Sequence, residues 1–172
     1  MKIAAIGVEG RGETDRLISQ AAAELEKRGL RLSGIAKVLQ ELPDGSHQCD
    51  MDVRVFPGTG TIRITQSLGQ GSTGCRLNPA AIAEAVSSVE ESIGSDKADL
   101  FVLNKFGPEE AEGRGFRAAI ATALEQDVPV LVGLSGGAAN KAAFAEFSAG
   151  LAEQLPADVD AVVEWCLAAQ KV

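Results

Sequence analysis

The chain is poor in the residue types on which several common classes of protein depend. Its 172 residues include three Cys, one His, one Trp and no Tyr, and aromatic residues make up only 4%. Three widely spaced Cys do not form a disulfide framework. Basic residues are also few, with 16 Lys and Arg against 24 Asp and Glu. This balance argues against a general nucleic-acid binder, which needs a basic face for the phosphates, but it permits a small anionic ligand.

Long apolar runs are missing as well. No stretch approaches the roughly 20 residues that a membrane-spanning helix requires. The chain begins MKIAAIGVEG, which is too short for a signal peptide and continues directly into a strand-like pattern. We therefore expect a soluble, cytoplasmic protein without a membrane partner. The length predicts a single domain over residues 1–172, and whether it forms a homo-oligomer is left open.

What the sequence does contain is an alternation of apolar strands and amphipathic helices. Strands are predicted at residues 2–8, 30–38, 99–104 and 130–134, and helices at 14–28, 79–93, 116–126, 138–148 and 157–169. Such an order requires right-handed crossovers, so it predicts an α/β protein with a mostly parallel sheet between two layers of helices.

The pattern of polar and apolar residues changes between about residues 44 and 75. Residues 51–56 (MDVRVF) and 61–66 (TIRITQ) alternate in polarity and predict a hairpin with one solvated face. A Gly- and Ser-rich loop follows up to Cys75. We interpret this region as an insertion that extends one edge of the sheet or covers one end.

The first strand leads into a segment with the spacing of a phosphate-binding loop. Residues 7–14 read GVEGRGET and follow the pattern G-x-x-x-x-G-K-[ST], between a first strand and a first helix. The pattern's Lys is Glu13 here, and a carboxylate repels a triphosphate where an ammonium attracts it. The glycines, the helix N-terminus and Thr14 as a candidate Mg²⁺ ligand are kept. The candidate anion-binding residues are Gly7, Glu9, Gly10, Arg11, Gly12, Glu13 and Thr14. The alternative is a tight turn that binds nothing.

A second candidate segment follows the strand at 99–104. Nucleotide hydrolases carry acids at such a strand end, to hold Mg²⁺ and polarise water, whereas this chain has Asn104 and Lys105. We expect the two strand ends to be neighbours. Our hypothesis is that Lys105 faces Glu13 across the pocket, or reaches the ligand in place of the missing Lys. A solvated Lys unrelated to the loop is the alternative.

Further candidates lie in charged segments near two helix starts. Glu110 is a candidate Mg²⁺ or water ligand and, with Lys105, a candidate catalytic residue, although no catalytic residue can be assigned. Arg114 and Arg76 are candidate clamps for an oxyanion, because a guanidinium binds such groups in bidentate fashion. A solvated loop with surface ion pairs is the alternative. His47, Cys49 and Cys75 are poorly spaced for a metal site, so no metal site is predicted.

Two segments also resemble those of a known bacterial family of uncharacterised domains. Residues 104–115 match N-K-F-G-x-x-E-A-x-G-x-G, and residues 74–79 match G-C-R-L-[DN]-P. The resemblance covers nearly the whole chain. Members of that family are often encoded near molybdate-uptake genes, and the family resembles a variant of the thermophile-type P-loop nucleoside triphosphatases.

This resemblance implies a P-loop NTPase-like fold. Those triphosphatases carry a D-E-x-G-x-x-E segment, in which Asn104 and Lys105 replace the acidic pair while Gly107 and Glu110 are retained. We therefore expect a degenerate P-loop-like protein that binds a nucleotide or related phosphate with weak or absent hydrolysis. For a nucleotide, Mg²⁺ is the expected cofactor. The alternatives are a non-catalytic module that binds an oxyanion such as molybdate, and an interaction scaffold with a vestigial pocket.

Overall fold

The computed structural model describes residues 1–39, 51–67, 75–95, 97–134 and 136–170. Within these ranges strands and helices alternate along most of the chain. The strands are β1 (Ile3–Ile6), β2 (Leu32–Lys37), β3 (Asp52–Phe56), β4 (Thr61–Arg63), β5 (Thr65–Ser67), β6 (Cys75–Leu77), β7 (Leu100–Phe106), β8 (Val130–Leu134) and β9 (Glu153–Gln154). The helices are α1 (Glu13–Lys27), α2 (Pro79–Ser95), α3 (Pro108–Ala111), α4 (Arg117–Glu125), α5 (Ala138–Phe147) and α6 (Val159–Ala169).

Seven of these strands form one sheet in the order β4-β3-β2-β7-β8-β1-β9. The five strands from β2 to β9 in this order are parallel, whereas β3 and β4 are antiparallel additions at one edge. The hairpin therefore extends an edge of the sheet. The expected contact between the ends of β1 and β7 is wrong, because β8 lies between them.

The sheet is covered on both faces, which gives the predicted three-layer α/β arrangement. One core packs α1 and α6 against the sheet through residues such as Ile18 and Cys166. The other packs α2, α4 and α5 through residues such as Val89, Ile120 and Phe144. The central strands are buried on both sides, as expected for a parallel sheet whose crossovers are helical. None of the helices in the described ranges is long and apolar enough to span a membrane.

The region of the hairpin differs in detail from the prediction. The stretch predicted as one strand at residues 61–66 is divided, since β4 pairs with β3 while β5 pairs with β6 in a separate two-stranded sheet. The strand β6 and the short β9 were not predicted. The turn at residues 44–45 and most of the Gly- and Ser-rich loop lie outside the described residues.

Candidate anion-binding site at the first loop

A cleft of about 350 Å³ opens at the carboxyl end of β1. This is within the size range of small-molecule sites. Its floor and walls come from the loop after β1, the start of α1, the ends of β7 and β8, and α5. The lining residues are Gly7, Val8, Glu9, Gly10, Arg11, Gly12, Thr14, Asp15, Lys105, Leu134, Gly136 and Lys141. The cleft therefore contains nearly all of the predicted loop residues together with Lys105.

The loop is shaped by glycines and by one side-chain hydrogen bond. Gly10 and Gly12 have φ values of 113° and 80°, in the left-handed region that L side chains rarely adopt. Gly12 directly precedes the first residue of α1. The Val8 N–H donates to Thr14 Oγ1 over 3.1 Å, which ties the start of the loop to the start of the helix. The phosphate-loop spacing thus produces a closed turn around the helix N-terminus.

Most backbone N–H groups of this turn are available to a ligand. Glu13 N donates to Gly10 O at 3.5 Å, and Arg16 N donates to Gly12 O at 2.9 Å. The N–H groups of residues 9–12, Thr14 and Asp15 have no hydrogen-bond partner within the part of the chain that the structure describes. The start of a helix concentrates unpaired N–H groups and positive potential, so this arrangement favours an anion.

A bulge in β7 brings Asn104 and Lys105 to the same side of the sheet. Between the pairs Leu103–Val132 and Phe106–Leu134, β7 has one more residue than β8. Such a bulge re-aims side chains that would otherwise alternate. Asn104 and Lys105 consequently both reach Asp15 in α1, with Asn104 Nδ2 at 3.1 Å and Lys105 Nζ at 3.6 Å from its Oδ1.

Gly133 allows α1 to reach across β8 towards β7. A Cβ atom at Gly133 would lie 3.1 Å from Thr14 Cγ2 and would overlap the Asn104 carbonyl oxygen. Because this position carries no side chain, Thr14 packs directly over β8. The loop and the end of β7 therefore meet even though their strands are not neighbours.

Asp15 is the centre of a buried polar network beneath the cleft. Its side chain is 5% exposed and is bound by three groups. Lys37 Nζ lies 3.3 Å from Oδ2, and Asn104 Nδ2 and Lys105 Nζ contact Oδ1. Asn104 Oδ1 in turn accepts from the Lys37 N–H over 3.1 Å. A buried carboxylate requires such partners, and the network fixes Lys105 at the edge of the cleft.

The predicted pairing of Lys105 with Glu13 is wrong. Lys105 pairs with Asp15, whereas Glu13 Oε2 lies 3.0 Å from Arg16 Nη2, with both side chains about half exposed. The two residues of that pair are three apart on the helix, which is a favourable spacing for an ion pair. The acid at the position of the usual Lys is therefore paired with a cation and does not line the cleft.

The charge of the cleft lining is positive although the chain as a whole carries −8. Arg11, Lys105 and Lys141 line the cleft together with the acids Glu9 and Asp15. The side chains of Arg11 and Lys141 have no ion-pair or hydrogen-bond partner among the described residues. Lys141 also lines an adjoining cavity of about 310 Å³, which shares Gly7 and Leu134 with the cleft.

Glu110 lies outside the cleft and binds the backbone of its own loop. Its Oε2 accepts from the Gly107 N–H over 2.9 Å, and its Oε1 accepts from the Phe116 N–H over 3.1 Å. The side chain is buried, and a Cβ at Gly115 would overlap Oε1. Both carboxylate oxygens therefore cap N–H groups, which is a structural arrangement rather than that of an open Mg²⁺ or water ligand.

Arg76 and Arg114 also lie outside the cleft. Both line a different groove of about 750 Å³ beside α2, and the two lining sets share no residue. Arg114 is paired with Glu109 at 2.9 Å and with Glu112 at 2.6 Å. The hydrogen bond to Glu109 is the main cause of a raised Arg114 pKa, and the same bond lowers the pKa of Glu109. The predicted arginine clamps are therefore remote from the loop.

The structure describes no metal centre. Within the described ranges no three His, Cys, Asp or Glu side chains are grouped in a way that would hold a metal ion. The sequence offers His47, Cys49 and Cys75 as candidate metal ligands. His47, Cys49 and the side chain of Cys75 lie outside what the structure describes.

Sequence reasoning missed Asp15, Lys37 and Lys141. Asp15 carried a signal, because it is three residues before Ile18 and seven before Ala22 and so shares their apolar face of α1. A charged residue on a buried face needs a partner and is a candidate for function. Lys37 and Lys141 carried none, since a Lys at a strand end or in a first helical turn is an ordinary surface residue.

Comparisons with known proteins place this geometry in context. Residues 3–165 match the family described as "Protein of unknown function (DUF2478)". Over 132 residues the chain is 37% identical to the molybdenum import ATP-binding protein ModC 2 of Bradyrhizobium diazoefficiens. The matched region covers 76% of this chain but only 14% of the length of that relative.

Two solved structures share the fold at low sequence identity. THEP1 from the hyperthermophile Aquifex aeolicus is 16% identical, with a TM-score of 0.64 and full coverage of both chains. A human cancer-related nucleoside triphosphatase is also 16% identical, with a TM-score of 0.58 over 90% of this chain and 87% of that one. These likenesses confirm a P-loop NTPase-like α/β fold. Since the family match extends over almost the entire sequence, the chain belongs to the DUF2478 family.

Proposed function

We propose that the cleft binds the phosphate groups of a nucleotide, with weak or absent hydrolysis. The observation that carries the proposal is the set of N–H groups at residues 9–12, Thr14 and Asp15, which have no partner among the described residues and lie at a cleft that Lys105 and Lys141 also line. Backbone N–H groups and ammonium groups are the standard donors to phosphate oxygens.

The position of Glu13 removes the main objection to an anion in this loop. Had the carboxylate faced the cleft, two unit charges about 4 Å apart would repel by about 4 kcal/mol at an effective dielectric constant near 20. Instead the carboxylate pairs with Arg16 at 3.0 Å and is not part of the cleft lining, which weakens that repulsion. Lys105 then supplies a cation from β7 in place of the loop Lys.

The size and continuity of the cavities favour a ligand larger than a single phosphate. The neighbouring cavity of about 310 Å³ opens from the same residues Gly7, Leu134 and Lys141. It offers space for a nucleoside while the loop holds the phosphates. The curated relative that is 37% identical is named an ATP-binding protein, which agrees with this ligand class.

The chemistry at the end of β7 favours weak or absent hydrolysis. Phosphoryl transfer needs a group that orients or deprotonates water and a means of neutralising developing charge. The two positions at this strand end are Asn104 and Lys105, and Asp15 is held by Lys37, Asn104 and Lys105. A carboxylate engaged in this way is a poor base for water.

The experiment is a thermal-unfolding panel with ADP, ATP, inorganic tripolyphosphate and molybdate. A ligand at 100 times its Kd stabilises by about 2.7 kcal/mol. For a chain of this length, that corresponds to a rise in Tm of about 5–10 °C. We expect the rise with the nucleotides and tripolyphosphate. A panel in which none of these anions moves the Tm contradicts the proposal.

A charge variant localises the effect to the loop. Glu13→Lys replaces the acid by the ammonium of the usual motif, and we expect about tenfold tighter tripolyphosphate binding, which corresponds to 1.4 kcal/mol. Glu24→Lys is the matched control, because it makes the same charge change on α1 about 16 Å further along the helix axis. That separation exceeds the Debye length of about 10 Å at 0.1 M salt. Equal effects of the two variants would argue against binding at the loop.

Molybdate is the second candidate ligand because of the name of the curated relative, a molybdenum import protein. A tetrahedral dianion can use the same N–H groups without a nucleoside cavity. If molybdate raises the Tm and the nucleotides do not, the site is that of an oxyanion-binding module instead.

A further inference from the structure

The oxygen atoms that line the cleft differ from those that usually hold a phosphate-bound Mg²⁺. Mg²⁺ requires near-octahedral oxygen ligands at about 2.0–2.1 Å, commonly one or two carboxylates besides the phosphates and waters. Three side chains with oxygen atoms line the cleft beside the loop, those of Glu9, Thr14 and Asp15. Thr14 Oγ1 accepts one hydrogen bond, from Val8 N–H, and keeps a second lone pair. The two Asp15 oxygens have three partners, so the buried carboxylate of the site is already engaged.

The partners of Asp15 make the disagreement with Mg²⁺ stronger. Two of them are ammonium groups: Lys37 Nζ lies 3.3 Å from Asp15 Oδ2, and Lys105 Nζ lies 3.6 Å from Asp15 Oδ1. A divalent cation bound to this carboxylate would lie beside two positive charges. Asn104 offers no substitute, because its Oδ1 accepts from Lys37 N–H and its Nδ2 donates to Asp15. The end of the cleft at Asp15 and Lys105 therefore does not fit a Mg²⁺ site.

Lys105 itself is placed to act on an anion. Its side chain is 37% exposed and lines the cleft, while the Asp15 that holds it is 5% exposed. An ammonium group has three N–H donors, so one contact with Asp15 leaves donors for phosphate oxygens. Asp15 thus acts as a positioning residue for this cation. Because Asp15 is the more buried of the two, Lys105 is the residue that faces the ligand.

We propose that this site binds its phosphate ligand in the metal-free form, with the Lys105 ammonium, positioned by Asp15, in place of Mg²⁺. The inference rests on the proposed function, since it specifies the species bound in the same cleft. Free nucleotides and inorganic polyphosphates are then better ligands than their Mg²⁺ complexes, because the metal neutralises the oxygens that Lys105 would contact.

The test compares tripolyphosphate and ADP binding to the unmodified protein by calorimetry, in excess EDTA and in excess MgCl₂ at equal ionic strength. We expect the affinity in MgCl₂ to be at least threefold weaker than that in EDTA. An affinity that is equal or higher with Mg²⁺ overturns the inference and leaves the proposed function intact. No binding under either condition removes the proposed function itself.

Variants at the strand end separate the role of the ammonium from that of the fold. In EDTA, Lys105→Ala is expected to lose at least tenfold in affinity and Lys105→Arg to stay within about threefold. The exposed Lys27→Ala on α1 is the control and should bind as the unmodified protein does. An unchanged affinity in Lys105→Ala overturns the role of Lys105.

A variant designed to need Mg²⁺ for phosphate binding tests the same inference in the opposite direction. The double variant Asn104→Asp with Lys105→Ala supplies an acid at the strand end and removes the ammonium. We expect its affinity to be at least tenfold higher in MgCl₂ than in EDTA, and equal affinities would count against the inference. If this variant does not fold, as judged by its thermal transition, the comparison on the unmodified protein still decides the question.

Discussion

Replacing Glu110 tests whether this residue holds the loop or takes part in chemistry. The carboxylate accepts from Gly107 N–H at 2.9 Å and from Phe116 N–H at 3.1 Å, and it is 5% exposed. Glu110→Ala leaves both N–H groups without their acceptor in a buried position. Hydrogen bonds to charged groups contribute about 1.5–3 kcal/mol each.

Loss of both bonds in Glu110→Ala should lower the free energy of unfolding by about 3–5 kcal/mol. This is a large part of the total of about 5–15 kcal/mol that is typical of natural domains. Urea titration of the variant and the unmodified protein measures the difference directly. Glu112→Ala is the control, because Glu112 is 60% exposed and its carboxylate pairs with Arg114 at the surface. Its effect should stay within about 0.5 kcal/mol.

A conservative variant separates the two roles of Glu110. Glu110→Gln keeps one carbonyl oxygen but turns an NH₂ group towards the second N–H, so its loss of stability should lie between zero and that of the Ala variant. A change of less than 1 kcal/mol in Glu110→Ala would refute the capping argument. If stability were unchanged and a phosphatase activity were lost, Glu110 would belong to the chemistry after all.

Two further predictions concern titrating groups. Arg31 donates hydrogen bonds to Asp99 and thereby lowers its pKa, so this carboxylate stabilises the folded state above the unfolded pKa of about 3.8 and ceases to do so as the pH falls through the folded value. Asp99→Asn should therefore lower the urea midpoint at pH 7, and the difference should vanish once the pH lies below the lowered pKa of Asp99. Burial raises the pKa of Cys166 to about 12, so a thiol reagent at pH 8 should label this residue only after unfolding, as read from the labelled peptide by mass spectrometry. Labelling of the folded chain at Cys166 would contradict the described packing of α6.

Much of the fold is predictable because its signals are local. The apolar run of β8 has the predicted bounds Val130–Leu134, and Asn78 caps α2 as expected, with its Oδ1 accepting from the N–H groups of Ala80 and Ala81. These features depend on periodicity and on side chains within a few residues. The two-residue strand β9, Glu153–Gln154, has no such signal, because it is polar, exposed and defined only by its pairing with β1.

The candidate site was predictable in its parts but not in its pairing. The Gly spacing of residues 7–14 located the loop, and the strand end located Lys105. Which acid meets Lys105 depends on strand order and on the bulge, neither of which is encoded in a local pattern. β8 lies between the two strands, and the missing side chain at Gly133 leaves room for Thr14 of α1 beside Asn104. The pairing of Lys105 with Asp15 instead of Glu13 is therefore determined by the tertiary structure.

The extra residue in β7 also governs how relatives should be compared with this chain. In a regular strand Lys105 would share a side with Leu103 and point into the apolar layer that contains Phe144. Deleting one residue here would turn the ammonium away from α1 even if every remaining side chain were kept. A relative can thus possess the same Lys in an alignment and still lack the cation in its cleft, so strand length at this place is as diagnostic as amino-acid identity.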